Sequence, residues 1–194
     1  MAIIRLNNQS LTAVSALPAG VGGNILEQVF LNCNGDTVTV NGTNYTSTDV
    51  TAAQALTDTH ADVTGSSISY TPPSGATLVV YELNYMMRGT SANNLVHVKM
   101  LIDSDEVTQA RKTLGGGSSA YDSEYVSHKW GIAIGGSADT ASGRQASWTS
   151  AKTIKLQARR YSSSYTGELH SMVFWDGAGS TQVIRPTLMI TALG

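Results

Sequence analysis

The stretch "ATLVVYELNYMMRG", residues 76–89, is long and apolar and carries many β-branched and aromatic side chains. Such a composition is typical of a strand that crosses the middle of a sheet. Tyr81 and Tyr85 are four residues apart, so on a strand their side chains face the same side. We predict that they fill the core, and the alternative is that Tyr81, Tyr85 and Trp175 line a contact between subunits, where Tyr and Trp are enriched. Four further aromatic residues are candidates for the same core: Trp130, Trp148, Phe174 and Trp175.

Other segments with a period of two lie on both sides of this strand, separated by turn residues. The strongest hairpin signal is "DTVTVNGTNYT", residues 36–46, because Asn41 and Gly42 accept the positive φ values of a tight type I′ turn. The segment "GSSISYTPPSG" predicts a strand that is closed by Pro72-Pro73 and a glycine turn. The remaining strands are predicted within residues 24–33, 94–103, 123–136, 152–161, 168–177 and 182–193.

About nine or ten strands without βαβ alternation favour an antiparallel two-sheet sandwich or jelly roll. An immunoglobulin-like sandwich fits less well, because the chain is longer and has no pair of cysteines around a core tryptophan. One segment, residues 47–63, is a candidate helix, since Ser47 or Asp49 would cap a turn over residues 52–56. The sequence therefore predicts an all-β protein with at most one short helix.

Composition excludes several classes of function. Only 13% of the 194 residues are charged and the net charge is −2, which does not suit a nucleic-acid binder. The densest basic group, residues 152–160, has the alternation of a strand with one charged face. Cys33 is the one cysteine, so no disulfide forms within the chain. The first residues lack a signal-peptide pattern and no apolar run spans a bilayer, so we expect cytoplasmic synthesis and no membrane partner.

Few residues suggest chemistry. The run "DSDE" provides Asp103, Asp105 and Glu106 as candidate oxygen ligands for Ca²⁺, although a solvated hairpin turn explains it equally well. The four histidines are far apart, and those within strands are expected to be half-buried or on the surface. Carboxylates for glycoside hydrolysis would have to come from four scattered positions: Glu82, Asp122, Glu124 and Glu168. We therefore expect neither a cofactor nor an enzymatic activity.

The N-terminal stretch "NNQSLTAVSALPAGVGGNILEQVF", residues 7–30, begins polar, breaks at Pro18 and passes through three glycines before the first strand. This pattern predicts a docking arm, residues 1–23, ahead of a folded domain, residues 24–194. The alternative is that the first residues form an edge strand of the domain itself. The apolar side chains that would dock the arm onto a partner are Ile3, Ile4, Leu6, Leu11, Val14 and Leu17.

Three segments carry a resemblance to a known group: residues 7–30, "SSISYTPPSGATLVV" at 66–80 and "RPTLMITAL" at 185–193. They resemble small β-rich virion proteins of tailed bacteriophages, particularly phages of marine bacteria. In that group a "Ser-Leu-x-x-Val-x-Ala-Leu-Pro" arm leads through Gly-Gly into a strand, and a "Ser-Ile-x-Tyr-Thr-Pro" segment precedes a long apolar strand. The match covers about a third of the chain and its motifs are structural.

The resemblance implies a jelly roll of the tumour-necrosis-factor or C1q type, usually trimeric, located on a virion made in a bacterial cytoplasm. Its partners would be the major capsid protein or other virion proteins. Because the chain has no shaft of heptads or repeats, we expect a head-decoration or cement protein that stabilises the phage head through its arm. The alternative is the receptor-binding tip of a tail fibre or another tail-associated protein.

Overall fold

The computed structural model describes residues 24–90, 94–115, 123–174 and 180–194, and within these ranges the chain forms strands, turns and loops without a helix. The ladders between strands are antiparallel. In chain order the fifteen strands of these ranges are β1 (Ile25–Asn32), β2 (Thr37–Val40), β3 (Thr43–Thr46), β4 (Gln54–Ala55), β5 (Ala61–Asp62), β6 (Ile68–Tyr70), β7 (Leu78–Arg88), β8 (Leu95–Ile102), β9 (Asp105–Gly115), β10 (Ser123–Ala133), β11 (Lys152–Arg160), β12 (Glu168–Leu169), β13 (Ser171–Phe174), β14 (Ser180–Val183) and β15 (Thr187–Leu193).

β7 is the centre of the first sheet, which we call the β7 sheet. β10 pairs with β7 along its whole length, from Ser123 opposite Arg88 to Ala133 opposite Leu78. On its other side β7 pairs first with β15 and then, at its last residues, with β12. β1 extends the sheet beyond β15, and β4 extends it beyond β12. The prediction that residues 76–89 cross the middle of a sheet is confirmed.

The second sheet, the β8 sheet, has the strand order β9–β8–β11. The free side of β11 is covered by two short strands, β6 near its start and β5 near its end. A bulge interrupts the β8–β9 ladder between Val98 and Met100. The architecture is thus an all-β, jelly-roll-like sandwich of antiparallel sheets, as the sequence predicted.

The core lies between the inner faces of the two sheets. Alternate residues of β7 point into it, and Tyr81, Leu83 and Met87 are fully buried. Leu156 and Ala158 of β11 supply the facing side chains, also fully buried. Burying one large apolar side chain contributes roughly 1.5–3 kcal/mol, so the strict alternation of these two strands fixes which face of each sheet turns inward.

A buried hydrogen bond connects the sheets across this core. The Tyr81 hydroxyl donates to the main-chain oxygen of Ser66 at 2.7 Å. The Ser66 hydroxyl in turn accepts from the main-chain nitrogen of Leu156, on β11, at 3.1 Å. The residue before Ser66 is Gly65, whose φ of +82° lies in the region that favours glycine and whose neighbours would crowd a side chain. A Cβ there would lie 3.0–3.1 Å from atoms of Pro186, Val50 and Cys33.

Two hairpins project from the sandwich. β2 and β3 are joined by Asn41 and Gly42, whose φ values of 48° and 80° match the predicted type I′ turn. Asn41 also donates to the buried carboxylate of Glu27 on β1 at 2.9 Å, which ties this hairpin to the β7 sheet. β13 and β14 form the second hairpin, between β12 and β15. It is tied to β7 because the Arg88 side chain donates to the Ser171 hydroxyl on β13 at 2.9 Å.

The prediction of a short helix within residues 47–63 is wrong. This segment contains only the two-residue strands β4 and β5 between loops. The Ser47 hydroxyl does not cap a helix but accepts from the Gly35 nitrogen at 3.1 Å and donates to the Asn32 oxygen at 2.9 Å. β9 was not predicted, because few of its side chains are buried and the sequence therefore lacks a clear apolar alternation.

The aromatic residues divide between core and surface. Tyr81 and Tyr85 are 0% and 1% exposed, so their side chains fill the core and offer no area to a second subunit. The alternative that they line a subunit contact is therefore wrong, for the physical reason that this chain already surrounds them. Trp148 is also buried, whereas Phe174 is 52% exposed. Trp175 lies outside the described residues.

Two histidines are buried more deeply than the sequence suggested. His128 on β10 points into the core, and His170 lies between β12 and β13 against the ring of Tyr85. Both side chains are fully buried. Burial lowers the pKa of each to about 4, and nearby Lys112 adds to the effect at His128.

The two tyrosines give the first prediction. Removing the hydroxyl in Tyr81→Phe should lower the free energy of unfolding by about 1–3 kcal/mol, because the buried Ser66 oxygen loses its donor. Tyr85→Phe is the matched control, since its hydroxyl makes no hydrogen bond within the described ranges, and it should be nearly neutral. Urea unfolding of both variants measures the difference. Equal losses would contradict the cross-sheet role of Tyr81.

The buried histidines predict a loss of stability in mild acid. An unfolded histidine has a pKa near 6.5, above the folded value of about 4, so the unfolded chain binds more protons below pH 6.5. Stability should therefore fall by about 2 kcal/mol per histidine between pH 7 and pH 5. In His128→Gln the slope should be about half that of the parent protein. Urea midpoints that stay constant over this range would contradict the prediction.

Candidate interaction surface

The outer surface of the β7 sheet has an unusual composition for a solvent-facing sheet. Outward residues of β1, β15 and β7 form a set that we call the apolar face. It consists of Ile25, Phe30, Leu78, Val80, Met189 and Leu193. Ile25 is 62% and Phe30 49% exposed, and the other four are half-buried. A sheet with one solvated face normally alternates apolar-in and polar-out, and here that alternation fails.

Strand register explains why these side chains meet. Phe30 lies opposite Met189, and Ile25 lies opposite Leu193. Leu193 in turn lies opposite Leu78, so apolar residues continue from the edge strand to the centre of the sheet. Side chains that are directly opposite on one face of an antiparallel pair contact each other, so the apolar face consists of the pair Phe30–Met189 and the row Ile25–Leu193–Leu78. The hydrogen-bonded pair Gln28–Thr191 lies between these two groups, and Thr191 is opposite Val80.

Charge is nearly absent from this surface. Glu82 and Lys129 are paired across β7 and β10 at 3.1 Å. Hydrogen bonds from Asn84 and Lys129 hold the pKa of the Glu82 carboxyl below its usual value, so the pair stays ionised and neutral overall. Exposed apolar side chains beside an ion pair that is neutral overall are suited to contact with another protein surface.

A second group of exposed apolar side chains lies toward the opposite end of the sheet. Tyr125 on β10 is opposite Met86 and is 69% exposed. The β13–β14 hairpin adds Phe174 at 52% and Val183 at 43% exposure. Within the described ranges β10 pairs only with β7, so its outer edge also presents main-chain groups. The β7 sheet therefore has two separate regions that contact with another chain would cover.

The residues predicted to dock the arm cannot be compared with this surface. Ile3, Ile4, Leu6, Leu11, Val14 and Leu17 lie outside the described residues, as does the boundary of the docking arm at residue 23. The described chain begins at Asn24, immediately before β1, whose side chains Ile25 and Phe30 belong to the apolar face.

The candidate metal ligands do not converge. Asp103 occupies the turn between β8 and β9 and accepts from the Thr153 nitrogen at 2.8 Å and from Lys152 at 3.3 Å. Glu106 is on β9 and is paired with Arg111 and Lys99. Asp105 is exposed. In the part of the chain that is described, no three His, Cys, Asp or Glu side chains are grouped to hold a metal ion. The hairpin-turn alternative is the one observed.

Two of the four carboxylates considered for hydrolysis are engaged in ion pairs. Glu82 is bound by Lys129, and Glu168 is bound by Arg88. Arg88 also donates to the Ser171 hydroxyl at 2.9 Å, so this pair supports the junction of β12 and β13. Asp122 lies outside the described residues.

Sequence reasoning missed the apolar face, although a signal was present. In "ATLVVYELNYMMRG" the positions between the buried residues include Leu78, Val80 and Met86, so half of the outward positions of this strand are apolar as well. That pattern is typical of a strand covered on both sides.

Comparison with known proteins gives little further information. No family model and no curated protein matches the chain. A chain from the structure of infectious bursal disease virus Gx strain is similar over 86% of this chain and 37% of its own length, with 9% identity and a TM-score of 0.38. A chain from the structure of the Gt strain of that virus is similar over 82% of this chain and 43% of its own length, with 8% identity and a TM-score of 0.29. This chain thus spans less than half of either, and scores below 0.5 support no conclusion about its fold or role.

Among the described residues no helix has the length and hydropathy to cross a membrane.

Proposed function

We propose that this chain is a virion structural protein that forms a homotrimer through the β7 sheet and binds other virion proteins through its docking arm. The observation that carries self-association is the apolar face, where Ile25 and Phe30 are half or more exposed and charge is nearly absent. The virion setting rests on the resemblance of three sequence segments to small virion proteins of tailed bacteriophages.

Three-fold symmetry would bring the two exposed regions of the β7 sheet together in one kind of interface. In a cyclic trimer each interface joins two different patches, one from each neighbour. The apolar face of one copy would pack against the region of Tyr125 and the β13–β14 hairpin of the next. Burial of apolar area contributes roughly 25 cal/mol per Å², and closing the ring makes all three contacts at once.

As a head-decoration or cement protein, the trimer would stabilise an assembled shell by binding it and not its separate subunits. The arm, with six large apolar side chains among its first 17 residues, would order on docking to the major capsid protein. Three arms on one trimer raise the effective concentration of each, so individually weak contacts hold together. The role involves no catalysis.

Self-association is tested by placing a charge in the apolar face. Wild-type protein should have three times the 20.4 kDa mass of one chain in light scattering. Phe30→Glu should shift the protein toward the monomer, because a carboxylate buried in an apolar contact is costly. Thr108→Glu, an exposed position on β9 of the other sheet, is the matched control and should remain trimeric. A monomeric wild type, or a Phe30→Glu protein of unchanged mass, would refute this contact.

The docking role is tested by deleting residues 1–23. The shortened protein should keep its mass in light scattering and its β circular-dichroism spectrum but lose co-sedimentation with virus particles that lack this protein. Full-length Phe30→Glu separates the two functions, since it should retain weakened binding through a single arm. Undiminished particle binding by the shortened protein would contradict a docking arm.

The receptor-binding tip of a tail fibre is the second candidate. It is favoured by a cleft on the outer face of the β8 sheet that is lined with cationic side chains. Copy number distinguishes the two roles, because a decoration protein covers the head in hundreds of copies and a fibre tip occurs in a few dozen or fewer. Quantitative gel analysis of intact particles measures it.

A further inference from the structure

The outer face of the β8 sheet differs from the apolar face in its chemistry. A cleft of about 260 Å³ lies across β9, β8 and β11. The cationic and imidazole side chains that face this cleft come from four separate segments: His60, His97, Lys99, Arg111 and Arg159. Glu106 is the one carboxylate among its lining residues.

Sheet register brings these residues together. His97 on β8 lies between Thr113 on β9 and Arg159 on β11, in a row that crosses three strands. The His97 ring nitrogen Nδ1 is 3.1 Å from the Thr113 hydroxyl, which fixes the ring in the row. The bulge between Val98 and Met100 shifts the β9 ladder at this point, next to the cleft.

The positive charge of the cleft is only partly compensated. Glu106 is shared between Arg111 and Lys99, with a distance of 3.6 Å to the Lys99 nitrogen. Arg159 donates to main-chain oxygens, with 3.1 Å to that of Tyr161, and forms no salt bridge within the described ranges. Lys112 lines the cleft, but it lies opposite the buried Val98 and its ammonium donates to the Ser127 oxygen of β10 at 2.8 Å, so its charge lies on the inner side of the sheet. The other three cations, Lys99, Arg111 and Arg159, against one carboxylate leave a formal excess of two positive charges, on a chain whose net charge is −2.

Burial and the cations around the cleft both affect the pKa of His60. Burial lowers the pKa of His60 from its usual value, and the nearby charges of Lys99 and Arg159 lower it further. The neutral ring can therefore donate or accept a hydrogen bond in the cleft while the lysine and the arginines supply the charge. A bound anion would offset the field that these cations create.

An exposed aromatic surface adjoins the cleft. Tyr161 follows Arg159 closely in sequence, is 51% exposed and packs edge-on against the His97 ring, with 5.9 Å between ring centroids. Tyr165 also packs edge-on against Tyr161, at 5.3 Å between centroids. An aromatic face next to fixed cations can pack against the C–H face of a sugar ring while the cations bind its acidic group.

From this juxtaposition we infer that the cleft binds the carboxylate or sulfate group of an acidic saccharide, with the sugar ring against Tyr161. Arg159 and Arg111 provide charge-assisted hydrogen bonds to the anionic oxygens, and His60 and His97 are placed for the neighbouring hydroxyls. The cleft volume lies just below the range of roughly 300–1,000 Å³ typical of small-molecule sites, which suits one charged ring of a longer chain.

A nucleic acid fits this site less well. Non-specific binding to phosphates uses a stripe of Lys and Arg that neutralises many charges along the backbone. Here the cations converge on one cleft, and the surrounding protein is acidic overall. The inference does not depend on the role proposed above, because it concerns the other sheet and is tested on the protein in the absence of virus particles.

The test is calorimetric titration of the full-length protein with short oligomers of galacturonic acid, and with neutral galactose oligomers of the same length. The acidic oligomer should bind and the neutral one should not. Arg159→Gln should weaken binding roughly tenfold or more, the size expected for losing a charge-assisted hydrogen bond. Arg160→Gln is the matched control, because this neighbour pairs with Asp58 and does not line the cleft, and its Kd should stay within about twofold.

Further binding measurements distinguish a saccharide from other anions. Tyr161→Ala should weaken binding of the acidic oligomer several-fold, and Tyr161→Phe should leave that binding unchanged. Neither substitution should change binding of inorganic sulfate. Ring-proton NMR shifts of His60 and His97 during titration of the unaltered protein report the site without any variant. Binding of sulfate as tight as that of the oligomer would overturn the assignment, as would equal or tighter binding of single-stranded DNA. Absence of binding or of histidine shifts with the acidic oligomer would also overturn it.

Discussion

The hydrogen bond from Tyr81 to the Ser66 main chain connects the central strand of one sheet to the other sheet, because Ser66 is itself bonded to Leu156 on β11. Its geometry favours Gly65, whose positive φ turns the chain where three side chains would crowd a Cβ. Once β7 and β11 are held face to face, their alternation decides which residues point outward. The two outer surfaces are therefore consequences of how the core closes.

Those surfaces differ because their strands alternate differently. On the β7 sheet, outward positions include exposed apolar side chains such as Ile25 and Phe30, and the central ion pair, Glu82–Lys129, is neutral. On the β8 sheet, outward positions of β11 carry Lys155 and Arg159, which face solvent and the cationic cleft. Covering the first surface leaves the second accessible, so a protein assembled through the β7 sheet can present the cleft to its surroundings.

The sequence predicted the long strands well because their apolar periodicity is set by burial in one core, as in β7, β8 and β11. The type I′ turn was predictable from Asn41 and Gly42 alone, since it depends on local backbone preference. β9 was not, because it is an edge strand with mostly exposed side chains. β4 and β5 are two-residue strands that exist through main-chain partners distant in sequence. The cleft was unpredictable for the same reason: His60, Arg111 and Arg159 meet only through the register of the sheet.

The environment of Cys33 has a practical consequence for chemistry on this molecule. Its thiol is 1% exposed, lies 3.4 Å from the Gly65 oxygen, and burial raises its pKa to about 11. Since the thiolate is the reactive form, alkylating reagents and oxidants at neutral pH should leave the folded protein unmodified. A cysteine introduced on the outer face of either sheet would then be the sole site of attachment for a fluorophore or spin label, without prior removal of Cys33.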